Sequence, residues 1–201
     1  MKTISNIDLL RHGETQGGPG FFGSTEIPLT AYGYTQMWTA IENSDGKWSH
    51  IVTSPSRRCT EFSHLLQQRH VIPVKQDKRI REIHFGDWEG CFPADPEQID
   101  AELLTLFWRN PVKHPPPNAE NLLVFEKRVL SAWHDITVQF AGQNILLVTH
   151  GGVIRIILCH ILQHPVERLL EIEVCHAAMR RIQVENYQNH RHFRLITGTA
   201  K

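Results

Sequence analysis

The stretch NILLVTH, residues 144–150, is the part of this 201-residue sequence that indicates the fold most directly. It is apolar over four successive positions, without alternation with polar residues, which is typical of a strand buried on both faces of a parallel sheet. Residues 7–10 and 49–54 are predicted strands of the same kind, and residues 71–75 are a candidate for a fourth. Because parallel strands need crossover connections, the segments between them decide the fold class.

Helix-start signals lie between these strands. Thr30 is a predicted N-cap, and Ser54 followed by Pro55 is a predicted N-cap with proline at the first helical position. The pair Asp95-Pro96 repeats this signal before another apolar stretch. Helices that alternate with strands in this way predict an α/β fold, a three-layer α/β/α sandwich with a mostly parallel sheet.

The second half of the chain completes this pattern. A long helix is predicted after Asn118, with Gly142 placed to end it, and residues 152–162 are predicted to form another. Residues 179–186 and 192–197 predict an antiparallel hairpin at the edge of the sheet. The apolar face of the long helix consists of Leu122, Phe125, Val129, Trp133, Ile136 and Phe140.

Length and charge limit the class of protein. The length fits one domain over residues 1–201, and residues 91–125 could add a helical cap to it. Lys plus Arg and Asp plus Glu are 21 each, so the net charge gives no attraction to nucleic acid or an anionic membrane. No run approaches the ~20 apolar residues of a membrane span. We therefore expect neither nucleic acid nor a membrane as a partner.

Cysteine and histidine usage supports a cytoplasmic enzyme without a metal. The four cysteines include no Cys-x-x-Cys pair, which favours reduced thiols over disulfides. His160 and His164 are four residues apart but lack the acidic residue of a His-Glu-x-x-His zinc site, so we expect no metal and no cofactor. The oligomeric state stays open between a monomer and a homodimer.

Three predicted strands end in basic residues. The first ends in Arg11-His12-Gly13, the second leads to Arg58, and the third ends in His150-Gly151. The carboxyl ends of parallel strands share one edge of the sheet, where helix N-termini also point. Planar guanidinium groups bind phosphate oxygens in pairs, and glycine after each histidine allows close backbone approach. The pattern predicts a site for a phosphate dianion.

An acidic segment, IREIHFGDWEG at residues 80–90, is predicted to form a strand and a loop near this edge. If a phosphoryl group moves to a histidine nitrogen, the leaving alkoxide needs a proton, which a carboxylic acid can donate. Glu82 is the predicted donor. Asp87 and Glu89 flank Trp88 and are predicted to anchor the loop.

Four motifs together, LLRHGET, SPSRRCT, REIHFGDWEG and LLVTHGG, resemble those of the histidine phosphatase superfamily in order and spacing over nearly the whole chain. The resemblance implies that His12 is the nucleophile and forms a phosphohistidine. It also implies that Arg11, Arg58 and His150, with Gly151 beside them, bind the phosphoryl group, and that Glu82 donates the proton. The implied reaction is hydrolysis in two in-line steps without a metal.

Within this family the stretches RHGETQ, PLTAYG, HFGDWEG and NILLVTHGGV are most similar to the α-ribazole phosphatase branch. That branch implies a small-molecule phosphate ester, α-ribazole phosphate, as the substrate. Two positions depart from the family pattern: Gly18 stands where asparagine is common, and Ala119 stands where glycine precedes a glutamate.

Substrate choice is expected to depend on residues around the phosphate site. Phe21, Phe22 and Trp108 are predicted to reach its mouth and stack on an aromatic base, although Trp108 could equally pack into the core beside Leu104 and Phe107. A broad-specificity phosphatase and a phosphoglycerate mutase are alternatives with the same catalytic residues. A binding module on an inactive phosphatase fold is disfavoured because both histidines, both arginines and the acid are present.

Overall fold

The computed structural model describes residues 2–187 and 190–196. A six-stranded sheet runs through it in the order β3-β2-β4-β1-β5-β6. Its strands are β1 (Thr3–Arg11), β2 (His50–Thr53), β3 (Val74–Gln76), β4 (Asn144–Thr149), β5 (Met179–Tyr187) and β6 (His190–Ile196). The first four are mutually parallel, and β5 and β6 join the β1 edge as antiparallel strands. The mostly parallel sheet and its edge hairpin are confirmed, although the hairpin turn and residue 197 lie outside the described residues.

Five α-helices connect these strands. They are α1 (Ala31–Glu42), α2 (Arg57–His70), α3 (Ala101–Arg109), α4 (Leu122–Gln139) and α5 (Gly151–Leu162). Short 3-10 segments cover Lys78–Ile80, Gly86–Trp88 and Val166–Glu171. Among the described residues, no helix is long and apolar enough to span a membrane.

The buried strand β4 divides the core into two layers. Ile145 and Leu147 face a cluster with α4 and α5, whereas Leu146 and Val148 face a cluster with α1 and α2. Helices therefore cover both faces of the sheet, and the three-layer prediction is confirmed. The predicted apolar face of α4 is also confirmed, because all six of its side chains are at most 6% exposed.

The first two predicted helix starts had different outcomes. Thr30 caps α1 as predicted, since its hydroxyl oxygen accepts the Gly33 N–H at 2.9 Å. The start at Ser54 and Pro55 was wrong, because α2 begins at Arg57. Ser54 lies before the helix, and its hydroxyl is 2.7 Å from His150 Nε2.

The start predicted at Asp95 was wrong as well. Helix α3 follows Asp100, whose carboxylate accepts the N–H groups of Glu102 and Leu103. The carboxylate of Asp95 accepts the Glu97 N–H at 3.0 Å and closes a separate turn.

The long helix is also displaced from its predicted ends. Asn121 caps α4, whereas Asn118 has a left-handed φ of 57°, which a helix start does not use. The helix ends at Gln139, and Gly142 lies in the turn beyond it with a φ of 79°. Glycine suits that turn because it adopts positive φ without strain.

The segment at residues 91–125 contains α3, a proline-rich loop and the start of α4. Phe107 of α3 packs in a small aromatic cluster with Phe21, Trp88 and Ile99. This cluster holds α3 beside the carboxyl edge of the sheet. A capping role for the segment stays a prediction.

We predict that Leu147→Ala lowers the free energy of unfolding by about 2–5 kcal/mol, because it leaves a cavity in the central strand. Leu147 is 0% exposed, whereas Leu123 on α4 is 48% exposed. Leu123→Ala is the matched control and should change stability much less. Urea denaturation of both variants measures the difference, and equal losses would contradict the assignment of β4 as the central buried strand.

Candidate active site

The pairing of β1 with β4 places the two predicted histidines together. Arg11 is opposite Thr149 in the parallel register, and the His12 N–H donates to the Thr149 carbonyl at 2.9 Å. The rings of His12 and His150 lie edge to face with centroids 5.3 Å apart. Both histidines are buried.

His12 has a defined tautomer. Its Nδ1 lies 2.8 Å from the Gly13 carbonyl oxygen, which only accepts, so Nδ1 carries the hydrogen and Nε2 keeps its lone pair. Burial and the charges of Arg58 and Arg11 hold the pKa of His12 well below its usual value. His12 is therefore neutral at pH 7 and presents a basic Nε2.

Both ring nitrogens of His150 form hydrogen bonds with other side chains of the protein. Arg58 Nε donates to its Nδ1 at 3.2 Å, so Nδ1 is the acceptor, and Nε2–H donates to the Ser54 hydroxyl oxygen at 2.7 Å. Burial and the neighbouring Arg58 charge lower the pKa of His150 well below its usual value. The ring is fully buried and lies behind the walls of the cleft described below.

Arg58 is almost entirely buried, with only 1% of its surface exposed. Besides His150, its guanidinium donates to the carbonyl oxygens of Phe22, Gly23 and Thr25 at 2.9–3.0 Å. These four hydrogen bonds use four of the five guanidinium N–H groups. Among the described residues, the second N–H of Nη1 has no hydrogen-bond partner.

Arg11 has one buried nitrogen without a partner. Its Nη1 donates to the Val174 carbonyl oxygen at 2.6 Å, whereas its buried Nε has no hydrogen-bond partner among the described residues. Buried polar groups are rarely left unpaired. Burial lowers the pKa of Arg11, and the charge of Glu82 partly offsets that effect. An oxyanion in the cleft could pair with this nitrogen.

The glycines after the two histidines allow close packing, as predicted. A Cβ on Gly13 would overlap the carbonyl oxygen of Gly33. A Cβ on Gly151 would lie 3.1 Å from Arg155 Nη1 and 3.4 Å from Arg11 Nε. A larger residue at either position would displace backbone or a charged group at the site.

Glu82 lies in a loop after the 3-10 turn Lys78–Ile80, so the strand predicted for this segment was wrong. Its Oε2 accepts the Gly152 N–H at 2.9 Å in the first turn of α5, and Oε1 accepts the Ile83 N–H at 3.1 Å. Arg128 fixes the backbone, because its guanidinium donates to the Glu82 carbonyl oxygen at 3.0 Å. The carboxylate is thus held at the same helix start as Gly151.

Asp87 and Glu89 act as loop anchors, as predicted. Asp87 accepts from the Asn118 amide at 3.0 and 3.1 Å. Glu89 accepts N–H groups from residues 23–25 and from Phe85. Burial would raise the pKa of Glu89, but the N–H donors and the Thr25 hydroxyl together lower it to about 2. Glu89 therefore fixes the loop whose carbonyls hold Arg58.

Most of the predicted site residues line a single cleft of about 320 Å³. Of the predicted site residues, the cleft brings together all except His150, namely Arg11, His12, Arg58, Glu82, Gly151, Phe21, Phe22 and Trp108. The lining combines arginine side chains with aromatic ones. The Trp108 ring is 48% exposed and lies 5.2 Å from the Phe107 ring, so it touches the aromatic cluster while half of it faces outward.

The sequence analysis missed two basic side chains of the cleft, Arg155 and His176. Arg155 lies four residues after Gly151 on α5, a spacing that places both on one helix face, and its Nε donates to the Ile172 carbonyl oxygen at 2.8 Å. His176 precedes β5, and the pairing of Met179 with Leu10 brings that segment to the end of β1. Helical spacing could have revealed Arg155, whereas His176 depends on the strand pairing.

The two departures from the family pattern also lie at or near the cleft. Gly18 lines it with a φ of 73°, and a Cβ there would meet only the Phe92 ring, at 3.5 Å. Space for a side chain thus exists, and asparagine tolerates this conformation better than most residues. Ala119 donates its N–H to the Pro116 carbonyl oxygen at 3.1 Å within the loop before α4.

Across residues 2–187 and 190–196, no group of three or more His, Cys, Asp or Glu side chains is arranged to hold a metal ion. The charged groups at the cleft are instead three arginines and one carboxylate. This set of side chains suits an anionic ligand rather than a cation.

Comparison with known proteins agrees with this chemistry. The model of the histidine phosphatase superfamily (branch 1) matches residues 7–194. An adenosylcobalamin/alpha-ribazole phosphatase of Escherichia coli is 31% identical over 170 residues, covering 83% of each chain. A glucosyl-3-phosphoglycerate phosphatase of Mycobacterium tuberculosis is 30% identical over 171 residues, covering 79% of this chain and 75% of the relative.

A solved structure supports the same assignment. Bacillus stearothermophilus YhfR superposes with a TM-score of 0.83 at 28% identity, covering 95% of both chains. The family match spans the motifs at the ends of β1, β2 and β4 and reaches into β6. This chain therefore belongs to the histidine phosphatase superfamily and is a metal-independent phosphatase.

Proposed function

We propose that this phosphatase hydrolyses a small-molecule phosphate monoester through a phosphohistidine on His12. The observation that carries the proposal is the state of His12: it is neutral, its Nδ1–H is bonded to Gly13, and its Nε2 is free for attack beside Arg11 and Arg58. A nucleophile needs an available lone pair next to groups that stabilise the transferred charge.

In the first step, the Nε2 lone pair of His12 attacks phosphorus and the bond from phosphorus to the ester oxygen breaks. Arg11 Nε and the remaining N–H of Arg58 bind the phosphoryl oxygens, and the start of α5 at Gly151 adds its positive helix dipole. Glu82, in its protonated form, donates a proton to the departing alkoxide.

In the second step, water attacks phosphorus in line with the His12 nitrogen. The Glu82 carboxylate takes a proton from that water, the bond from nitrogen to phosphorus breaks, and inorganic phosphate leaves. His12 and protonated Glu82 are then restored for the next turnover.

His150 has a separate role in this mechanism. Its Nδ1 accepts from Arg58 in the free protein, so it can donate to phosphate only when protonated. A bound dianion opposes the arginine charges that lower the pKa of His150, and this favours protonation. We propose that phosphate binding converts His150 from a support for Arg58 into a donor to the phosphoryl group.

For the substrate we propose α-ribazole phosphate, dephosphorylated in the cytoplasm during assembly of the cobalamin nucleotide loop. The support is the aromatic wall of Phe21, Phe22 and Trp108, which suits an aromatic base, together with the 31% identity to an alpha-ribazole phosphatase. Broad specificity is the second candidate, because an aromatic wall makes few directional hydrogen bonds and could accept several leaving groups.

We predict that His12→Ala abolishes turnover and that Arg58→Ala lowers kcat by about 10²- to 10³-fold, since an oxyanion donor is lost. Rapid quench of wild type with labelled ester should trap a phosphoprotein that is labile in acid and stable in base. His64→Ala is the control, because His64 is exposed on α2. An active His12→Ala variant, or no trapped phosphoenzyme, would contradict the mechanism.

The acidic limb of the pH profile is a separate prediction. Because the pKa of His12 lies well below 6.5, its nucleophilic form persists to lower pH than that of an ordinary histidine. We expect kcat/KM, corrected for ionisation of the substrate, to fall only below pH 6.5. A decrease in kcat/KM that begins at pH 6.5 or above would contradict a neutral, buried His12.

Substrate choice can be tested with a panel of phosphate esters. We expect a higher kcat/KM for α-ribazole phosphate than for sugar phosphates or 3-phosphoglycerate, and Phe22→Ala and Trp108→Ala should reduce that preference. Comparable rates on many esters would favour broad specificity. Isomerisation of 3-phosphoglycerate, with a bisphosphoglycerate primer, faster than phosphate release would favour a mutase.

A further inference from the structure

The loop before β5 adds a third imidazole to the cleft, that of His176. We propose that His176 is a substrate-binding residue whose imidazole donates a hydrogen bond to a phosphoryl oxygen of the ester bound at His12. The proposal rests on the proposed function for the identity of the ligand. It concerns a residue that none of the four sequence motifs contains.

The geometry places His176 beside the nucleophile. Its ring centroid is 5.7 Å from that of His12, with the two planes tilted by 42°, and it lines the same cleft as Arg11 and Arg58. A phosphoryl group carried by His12 would therefore lie within reach of the His176 ring. His150, the other neighbour of His12, is engaged on both nitrogens by Arg58 and Ser54.

The backbone of this loop is bonded directly to the nucleophile's own strand. The Ala177 N–H donates to the His12 carbonyl oxygen at 3.1 Å, and the Arg11 N–H donates to the Ala178 carbonyl oxygen at 3.0 Å. Ala177 has a left-handed φ of 53°, and the Ala178 N–H closes the turn on Cys175 at 3.0 Å. These bonds preorganise His176 relative to His12, which is what binding a transition state requires.

The His176 ring is also free to bind. Among the described residues, neither of its nitrogens has a hydrogen-bond partner, and the ring is partly exposed in the cleft wall. Burial and the charge of Arg11 lower its pKa to about 4, with a small opposing effect from Glu14. At neutral pH it is therefore an uncharged imidazole with one N–H to donate.

An uncharged donor suits this position. A further fixed cation would be repelled by Arg11, Arg58 and Arg155, whereas a neutral N–H group would not. A phosphoryl dianion would then receive a charge-assisted hydrogen bond. Gly18, which lines the same cleft, has no side chain to supply one.

The test measures binding of inorganic phosphate by calorimetry alongside kcat/KM. For His176→Ala we expect phosphate affinity and kcat/KM to fall by about 10- to 100-fold, the usual effect of losing a hydrogen bond to a charged group. Asparagine places an amide N–H near the position of Nδ1 and glutamine near that of Nε2, so at least one of His176→Asn and His176→Gln should recover most of the loss. The melting temperature should stay within a few degrees of wild type.

The matched control is Cys175→Ala, which alters the neighbouring exposed side chain and should leave phosphate affinity unchanged. Unchanged affinity in His176→Ala, or equal losses in the alanine, asparagine and glutamine variants, would overturn the proposal. If His176→Ala does not fold, ¹⁵N imidazole spectra of wild type decide: the His176 signal must shift on addition of phosphate, and an unshifted signal overturns it. Hydrolysis by His12→Ala would instead disprove the proposed function, since phosphate binding is measured separately from turnover.

Discussion

The concentration of positive charge where β1 and β4 end is the constraint on which the site depends. Arg11, Arg58 and Arg155 meet in one cleft with His12, and such a group repels itself when water is removed. The protein lowers that cost by donating guanidinium N–H groups to backbone carbonyls and by placing Glu82 nearby. Burial and the arginine charges lower the pKa values of His12 and His150, which stay neutral, so the net positive charge of the cleft suits a dianion.

The loops around this cleft are held by partly buried carboxylates rather than by secondary structure. Glu89 accepts four backbone N–H groups and fixes residues 22–25, whose carbonyls in turn hold Arg58. Glu120 pairs with Arg128, which donates to the carbonyls around Glu82. Both loops are irregular, yet charged side chains fix them: Glu89 accepts the N–H groups of residues 23–25, and Arg128 donates to the carbonyl oxygen of Glu82.

In the proposed mechanism, one set of cleft residues binds the phosphoryl group and another set contacts the leaving group. The arginines of the cleft come from the end of β1 and from α2 and α5, whereas Phe21, Phe22 and Trp108 come from a loop and from α3. Relatives of about 30% identity are named for different phosphate esters, which fits a common reaction with a variable aromatic wall.

The sequence by itself determined the α/β class, the buried central strand and the meeting of Arg11, His12, Arg58 and Gly151, because apolar periodicity and strand-end motifs are local features. The tertiary structure decided the rest. Helix α2 starts at Arg57, and Ser54 before it bonds His150 instead of capping the helix. Arg58 also bonds His150, which does not line the cleft. The place of His176 depends on the antiparallel pairing of β5 with β1, and a contact between distant strands leaves no local pattern in the sequence.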